Sequence, residues 1–321
     1  MRAGIVTSFN SESPLEGLKV AEVADPTARE NWSTVTVKAA SINHHDVWSL
    51  KGVGLRESQL PMVLGTDAAG ITEDGRRVVV HSVIGADGHG VGPTERRTML
   101  SEYYPGTIAE KVAVPTANLI PIPDDMSFEV AATLPTAWLT AYALLFNGAQ
   151  LRPGDSVLIQ GAGGGVATAA IRLAVASGVT TFVTSRSEAK RAAAEALGAT
   201  AIEPGARLPY RVDAVIETVG AATWSHSASS VRPGGIIAVA GATTGDPTRA
   251  ELSRIFFQEL RVQGVTMGSR EDLRALVNFV QSRKIDVPID SVYSLDELPD
   301  AVGRMLSGDH FGKIVIRMDN A

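Results

Sequence analysis

The 321-residue sequence contains no cysteine. That absence excludes disulfides, thiolate metal sites and cysteine nucleophiles. It also lacks any excess of positive charge: 29 Lys and Arg stand against 35 Asp and Glu, a net charge of −6, and no basic run appears. A protein that grips nucleic acid through its phosphates needs the opposite balance, so no nucleic-acid partner is expected. Long hydrophobic runs are missing too. Each apolar stretch is broken by Gly, Thr or a charge, so no membrane span is expected. The first residues, MRAGIVTSFNSES, have no apolar core of the kind a secretory leader carries. These absences together predict a soluble, cytoplasmic protein. The length suffices for two ordinary domains.

What is present has two textures. The first ~120 residues read as strands and turns. STVTVKAASIN alternates and is rich in β-branched residues, RRVVVHSVIG and AEKVAVP are further short strands, and Gly and Pro punctuate them. The stretch from Gly85 to Gly106 is long and polar, the pattern of a lid, a binding loop or a solvated insertion. Tyr103 and Tyr104 near its end are placed either to close over a ligand or to pack beneath the loop. From PIPDDMSFEVAATLPTAWLTAY onward, helical spacing takes over, and from Ser156 strands alternate with helices. That alternation predicts an α/β fold with a parallel sheet covered on both faces.

The strand SVLIQ runs into GAGGGVA and then into an alanine-rich helix. Glycines there permit a tight turn and let backbone N–H groups approach a pyrophosphate at the positive end of a helix. A turn selected only for close packing is the alternative, but the strand–turn–helix context favours a dinucleotide site. Gly161, Ala162, Gly163, Gly164, Gly165 and Val166 are therefore candidate cofactor residues, with Ala167 in place of the motif's last glycine. The next strand, TTFVT, ends in SRSEAKR. An NAD site usually has an acid at this point, to hold the ribose 2′-hydroxyl. Here Ser185, Arg186 and Lys190 offer a hydroxyl and cations, which suit a 2′-phosphate and predict NADP(H). Ser185 also reads as the N-cap of the helix that follows. The strand ends ETVG and AGATTG place Val219, Gly241, Ala242 and Thr243 toward the same ligand, and Met267 and Gly268 follow the last strand of the set.

Seven motifs then run in one order: AASINHHDVWSLKG, LPMVLGTDAAG, GTIAEKVAVP, LPTAWLTAY, LRPGDSVLIQGAGGGVATAAIRLA, VDAVIETVG and FGKIVI. Over nearly its whole length the chain resembles the medium-chain dehydrogenase/reductases, and within them the zinc-free quinone oxidoreductase branch that includes zeta-crystallin. The resemblance implies a Rossmann-type doubly wound parallel sheet inserted in a GroES-like, β-rich catalytic domain. Residues 1–122 and 268–321 would form the catalytic domain and 123–267 the dinucleotide domain, with the active site in the cleft. It further implies that the strand RVQGVTM lies at a sheet edge and pairs across a homodimer.

The same resemblance matches the three catalytic zinc ligands of zinc-bearing relatives to Asn43, Thr66 and Thr136, and finds no counterpart of their four-cysteine structural zinc lobe. A site built instead from His44, His45, Asp46 and His81 is disfavoured, because adjacent histidines on a strand point to opposite faces and make a poor chelate. No metal is expected. Without a Lewis acid, hydride transfer suits a quinone or an α,β-unsaturated carbonyl, whose accepted charge is delocalised. The implied activity is NADPH-dependent reduction of such a small-molecule acceptor.

For the chemistry itself, the candidates are Asn43, His45, Trp48 and Asp67. Asn43 is read as a hydrogen-bond donor to the substrate or nicotinamide, or as a local backbone bond. Trp48 stands where the branch often has tyrosine; it either stacks on a flat acceptor or packs in the core. His44 or His45 relays a proton or satisfies local groups, and Asp67 bonds the site or the scaffold. Thr136 and Thr140 are candidates to line the nicotinamide pocket. Two rival readings stand: a nucleotide-binding, redox-sensing protein with little turnover, and a zinc alcohol dehydrogenase.

Overall fold

The computed structural model describes residues 1–85 and 98–318. Most of the Gly85–Gly106 stretch therefore lies outside the described residues. In chain order, the first elements are β1 (Arg2–Val6), β2 (Leu18–Glu22), β3 (Trp32–Ser41), α1 (His44–Leu50), β4 (Met62–Val63), β5 (Asp67–Thr72) and β6 (Arg77–Val80). Next come β7 (Val83–Ile84), β8 (Thr98–Met99), β9 (Lys111–Pro115), β10 (Leu119–Pro121) and α2 (Phe128–Ala132). The middle of the chain supplies α3 (Leu139–Tyr142), β11 (Ser156–Ile159), α4 (Gly165–Ala176), β12 (Thr180–Thr184), α5 (Glu188–Ala196) and β13 (Thr200–Ile202). It continues with β14 (Val212–Glu217), α6 (Trp224–Ser230), β15 (Val231–Val239), α7 (Leu252–Phe257) and β16 (Arg261–Gly264). Last are α8 (Arg270–Ser282), β17 (Ile289–Ser294), α9 (Leu298–Ser307) and β18 (Lys313–Arg317).

The chain divides into two units. The first holds Met1–Ala137, Ser269–Ser282 and Ile289–Ala321; the second holds Trp138–Gly268 and Arg283–Pro288. The boundary expected at 122/123 thus falls at 137/138. The reason is packing: α2 lies on β3 and β5 of the first unit, Arg317 pairs with Glu129 at 2.9 Å, and Ser41 Oγ bonds the Ala132 carbonyl at 3.0 Å. Residues 283–288, expected with the first unit, join the second, where Arg172 Nε donates to the Asp286 carbonyl at 3.0 Å.

The first unit is built on a sheet ordered β10-β6-β5-β3-β18-β17, with β9 also on β3 and a smaller sheet β2-β1-β4. β3 is its spine. Val35, Val37, Ala39 and Ala40 are wholly buried there, and burying a Val side chain contributes about 1.5–3 kcal/mol. β18 runs antiparallel to β3, with Val315 opposite Ser41. This pairing brings the end of the chain against the residues that precede α1.

The second unit is a six-stranded parallel sheet ordered β13-β12-β11-β14-β15-β16. Its strands are short and β-branched, and β11, β12 and β14 are almost wholly buried, as strands covered on both faces must be. The order reverses between β11 and β14. In open α/β sheets the ligand crevice lies beyond the carboxyl ends of the strands at that reversal.

The segment His44–Leu50 corrects one expectation. It is a helix, not a strand, so the argument that His44 and His45 must point to opposite faces does not hold. The helix starts because Asp46, three residues in, reaches back to accept the Asn43 backbone N–H at 2.8 Å.

Candidate functional site

In the first unit a buried polar cluster forms where β3, β5 and β18 meet. Lys313, the first residue of β18, has its Nζ 2.8 Å from the Ile42 carbonyl, 2.6 Å from Asn43 Oδ1 and 3.1 Å from Asp67 Oδ2. Those three contacts use all three ammonium hydrogens. Asp67 Oδ2 also accepts from Ser41 Oγ at 2.7 Å and from Asn43 Nδ2 at 2.8 Å. The second hydrogen of Asn43 Nδ2 goes to Thr66 Oγ1 at 3.2 Å, and Thr66 Oγ1 lies 2.9 Å from Thr136 Oγ1. Lys313, Asp67, Ser41, Thr66 and Asn43 are buried, and Thr136 is half-buried.

This geometry changes two assignments. Both amide hydrogens of Asn43 are spent inside the cluster, so Asn43 is not the expected donor to a substrate; it is a link. Asp67 is wholly buried, and it holds Ser41, Asn43 and Lys313 rather than facing a ligand. Asp46 lies alongside, accepting from Asn43 N at 2.8 Å and Gly65 N at 2.9 Å. Burial pushes its carboxyl above the ordinary value, against the pull of His45 and these two bonds.

His45 Nε2 is 3.1 Å from Glu102 Oε1, and its Nδ1 is enclosed without a partner among the described residues. Burial pulls the His45 pKa down, but the Glu102 hydrogen bond and the charges of Asp46, Glu102 and Asp67 carry it above 6.5. Trp48 is 39% exposed, with Lys51 Nζ 5.5 Å from the ring centroid, so it is not core packing. Tyr104 packs on Trp32 with ring centroids 5.0 Å apart, whereas Tyr103 is exposed.

In the second unit the glycine turn connects β11 to α4 as expected. Gly161 and Gly163 have φ of +82° and +102°, which glycine adopts without strain. Gly164 is the N-cap of α4, and the first intrahelical bond runs from Thr168 N to Gly164 O at 3.0 Å. The amides of Gly165 and Val166 therefore face out of the helix end, available to an anion. Lys190, on α5, lies across this turn: a Cβ on Gly163 would fall 2.8 Å from its Cδ and 2.9 Å from its Nζ.

Ser187, not Ser185, is the N-cap of α5; its side chain accepts from Lys190 N. Ser185 is buried, its Oγ accepting from Ser187 N at 3.2 Å, and Arg186 is exposed. Arg191, which sequence reasoning missed, fixes this corner by donating to the carbonyls of Ser185 at 2.8 Å and Arg186 at 3.3 Å.

The loop after β14 meets the turn, since a Cβ on Gly161 would touch Val219 Cγ2 at 3.3 Å. Its shape depends on Glu217, also missed. Wholly buried, this carboxylate accepts from Val219 N, Gly220 N, Thr223 Oγ1 and Ser227 Oγ at 2.5–3.0 Å. The acid inside the strand-end motif VDAVIETVG was the available signal. Gly241, Ala242 and Thr243 pack on this loop: Thr243 N donates to Thr218 O, and Ala242 stands 3.0 Å from a Cβ placed on Gly220. Thr140 is buried in α3. Met267 is buried at φ +51°, beside Gly268.

Two family descriptions match the chain: "Alcohol dehydrogenase GroES-like domain" over residues 29–124 and "Zinc-binding dehydrogenase" over residues 165–282. A zinc-type alcohol dehydrogenase-like protein of Schizosaccharomyces pombe is 32% identical over an alignment of 316 positions that covers 89% of this chain and 90% of the relative. The chain belongs to the medium-chain dehydrogenase/reductase superfamily. This superfamily chain is also 26% identical to an acryloyl-coenzyme A reductase of Sulfurisphaera tokodaii, with 95% and 97% of the two chains covered. A solved structure of an NAD-dependent alcohol dehydrogenase superposes with a TM-score of 0.89 at 31% identity, covering 99% of this chain and 100% of that one. As a medium-chain dehydrogenase/reductase the protein is a nucleotide-binding oxidoreductase of α/β fold, with a GroES-like unit and a Rossmann-type parallel sheet. No helix among the described residues is long and apolar enough to cross a membrane.

Proposed function

We propose that this protein reduces a quinone or an α,β-unsaturated carbonyl with hydride from NADPH, without zinc, as in the quinone oxidoreductase branch. The observation that carries the reading is the contact chain Asn43–Thr66–Thr136. These are the positions matched to zinc ligands, and they present an amide and two hydroxyls already bonded to one another. Asp67, the carboxylate bonded to the Asn43 amide, is held by Lys313. Zinc sites in proteins use thiolate, imidazole and free carboxylate donors, so this set does not fit the ion.

The residues do fit a dinucleotide. The outward amides at Gly165 and Val166 would hold its pyrophosphate, and Ser185, Arg186 and Lys190 would hold a 2′-phosphate. When bound, a nicotinamide supplies hydride. The protein's part is then to orient the acceptor, keep water away and offer a hydrogen bond to the oxygen on which charge develops. The relative named acryloyl-coenzyme A reductase supports a conjugated acceptor. The structural neighbour named as NAD-dependent keeps NADH as the competing cofactor. We further propose a homodimer joined at β16, the exposed edge strand of the parallel sheet.

The test is a turnover panel: purified protein treated with a chelator, NADPH or NADH, and naphthoquinone, cyclohexenone or an aldehyde, followed at the nicotinamide absorbance. NADPH oxidation with the quinone or enone is expected. Tight NADPH binding with no turnover would favour a redox-sensing protein, and turnover only after zinc addition would favour an alcohol dehydrogenase.

A further inference from the structure

The hydrogen-bond directions in the buried cluster leave one proton unspent. Lys313 can only donate, so Asn43 Oδ1 accepts from it, and Asn43 Nδ2 donates to Thr66 Oγ1. Thr66 is wholly buried, and the other hydrogen-bond neighbour of its hydroxyl among the described residues is the Thr136 hydroxyl, 2.9 Å away. A buried hydroxyl hydrogen without an acceptor costs about 1–3 kcal/mol, so the Thr66 hydrogen points to Thr136 Oγ1. Thr136 then accepts, and its own hydrogen remains for a group outside the cluster. Thr136 is the one member of this chain that is half-buried rather than buried, and it sits in a five-residue π-helical turn, Leu134–Trp138, a feature often found at functional sites.

We propose that the Thr136 hydroxyl is the hydrogen-bond donor to the substrate oxygen, polarised through Thr66 and Asn43 by the buried Lys313 ammonium. This rests on the reductase reading above and names the group that stands in for a metal. Hydride arriving at the β-carbon of an enone forms the new C–H bond. The π pair of the C=C bond shifts toward the carbonyl, and negative charge collects on its oxygen as an enolate. The Thr136 O–H bonds that oxygen without giving up its proton. Water then protonates the α-carbon, and hydroxide is neutralised in solvent. Each donor in a one-way chain strengthens the next, and a cation at the far end strengthens them all. Lys313, Asn43 and Thr66 are positioning residues; Thr136 is the catalytic residue.

The test compares the full-length protein with Thr136→Val, Thr136→Ser and Asn43→Ala. With cyclohexenone, Thr136→Val is expected to lower kcat about 100-fold, the usual loss for one oxyanion donor, with KM and NADPH affinity little changed. Thr136→Ser, which keeps the hydroxyl, should restore most of the rate. A second readout needs no turnover: binding of 4-nitrophenolate, an oxyanion, against neutral 4-nitrotoluene, followed by absorbance and by intrinsic tryptophan fluorescence. Thr136→Val should weaken the phenolate about 10-fold or more and leave the neutral compound unchanged, as expected for a hydrogen bond to a charged group. Asn43→Ala should weaken the phenolate about 3–10-fold, the size of one ordinary hydrogen bond. Equal phenolate affinity in the parent and Thr136→Val, or equal kcat, overturns the assignment. A parent protein inert toward quinone and enone sinks the reductase reading alone, because the phenolate comparison still decides which residue donates.

Discussion

Lys313 Nζ stands 3.1 Å from Asp67 Oδ2, and neither side chain reaches solvent. Two charges so enclosed hold each other in place only while both are present. Asp67 depends on the ammonium all the more because its Oδ1 has no hydrogen-bond partner among the described residues. Lys313→Met would leave a buried carboxylate with neutral donors only. The expected cost is about 3–5 kcal/mol, read as a drop in urea midpoint. Combining it with Asp67→Asn removes the uncompensated charge and should recover most of that loss. If the double variant is no more stable than Lys313→Met, the pair is not the source of the effect.

His45 makes a proton-linked prediction. Its folded pKa lies above 6.5: burial opposes the shift, while the hydrogen bond to Glu102 and the nearby carboxylates more than offset burial. The sign follows from linkage. A group whose pKa is raised on folding adds stability that is fully present below its unfolded value and is lost as pH rises through its folded value. Melting temperature measured from about pH 5.5 to 8.5 should fall through that window by more in the parent than in Glu102→Gln. Parallel curves for the two proteins would show that the His45–Glu102 contact carries no such linkage.

Cofactor choice is expected to follow the end of β12. Arg186 is exposed there, Ser185 is buried with its hydroxyl at the turn into α5, and Lys190 reaches over Gly163. Ser185→Asp with Arg186→Ile should move preference toward NADH, and Lys190→Ala should weaken NADPH more than NADH. Each lost charge-assisted bond is worth about 1.5–3 kcal/mol, or roughly 10–100-fold in affinity. Titrations of both cofactors by fluorescence check this. An unchanged ratio in both variants would mean that no 2′-phosphate binds at this corner.

Much of the second unit was legible in the sequence because its rules are local. Strands such as SVLIQ and TTFVT are short and β-branched, and a glycine turn between a strand and a helix, inside an alternating strand–helix pattern, favours a dinucleotide site. The polar cluster of the first unit was not legible, because its members are brought together by pairing of distant strands. Lys313 and Asp67 are 246 positions apart, and a lysine opening the strand KIVIR reads as a solvated end. Only the β3–β18 register turns it inward. Helix α1 is a different failure, since the spacing of Asn43 and Asp46 is an N-terminal capping signal, outweighed by the strand just before it. Asn43 was expected to donate to a ligand, but the direction of its amide depends on which neighbours claim its hydrogens.

The dimer proposal is tested at β16. Every residue of this edge strand is exposed, including Val262 at 46%, and Phe256 and Phe257 on the preceding helix are 61% and 75% exposed. A charge placed on such an edge discourages strand-to-strand pairing. Val262→Lys should shift the protein from dimer to monomer in sedimentation equilibrium at micromolar concentration, with the thermal transition of the chain otherwise retained. A parent protein that already sediments as a monomer, or a variant that stays dimeric, would place any interface elsewhere.

Gly164 separates what the fold needs from what a ligand needs. Its φ is −70° and ψ 159°, a conformation any residue adopts, and a Cβ built on it meets nothing within 4 Å. It is also the N-cap of α4, a position where Ser is preferred over Gly by a few tenths of a kcal/mol. For the free protein, Gly164→Ser should therefore be neutral or slightly stabilising. A dinucleotide whose pyrophosphate lies on this turn approaches the backbone where the new side chain would stand. The variant should melt no lower than the parent yet bind NADPH at least about 10-fold more weakly, a loss comparable to one charge-assisted hydrogen bond. Gly163 differs, because its φ of +102° strains any side chain, so Gly163→Ser should lower both stability and affinity. If Gly164→Ser binds nucleotide like the parent, the glycine serves the turn alone and the pyrophosphate lies elsewhere.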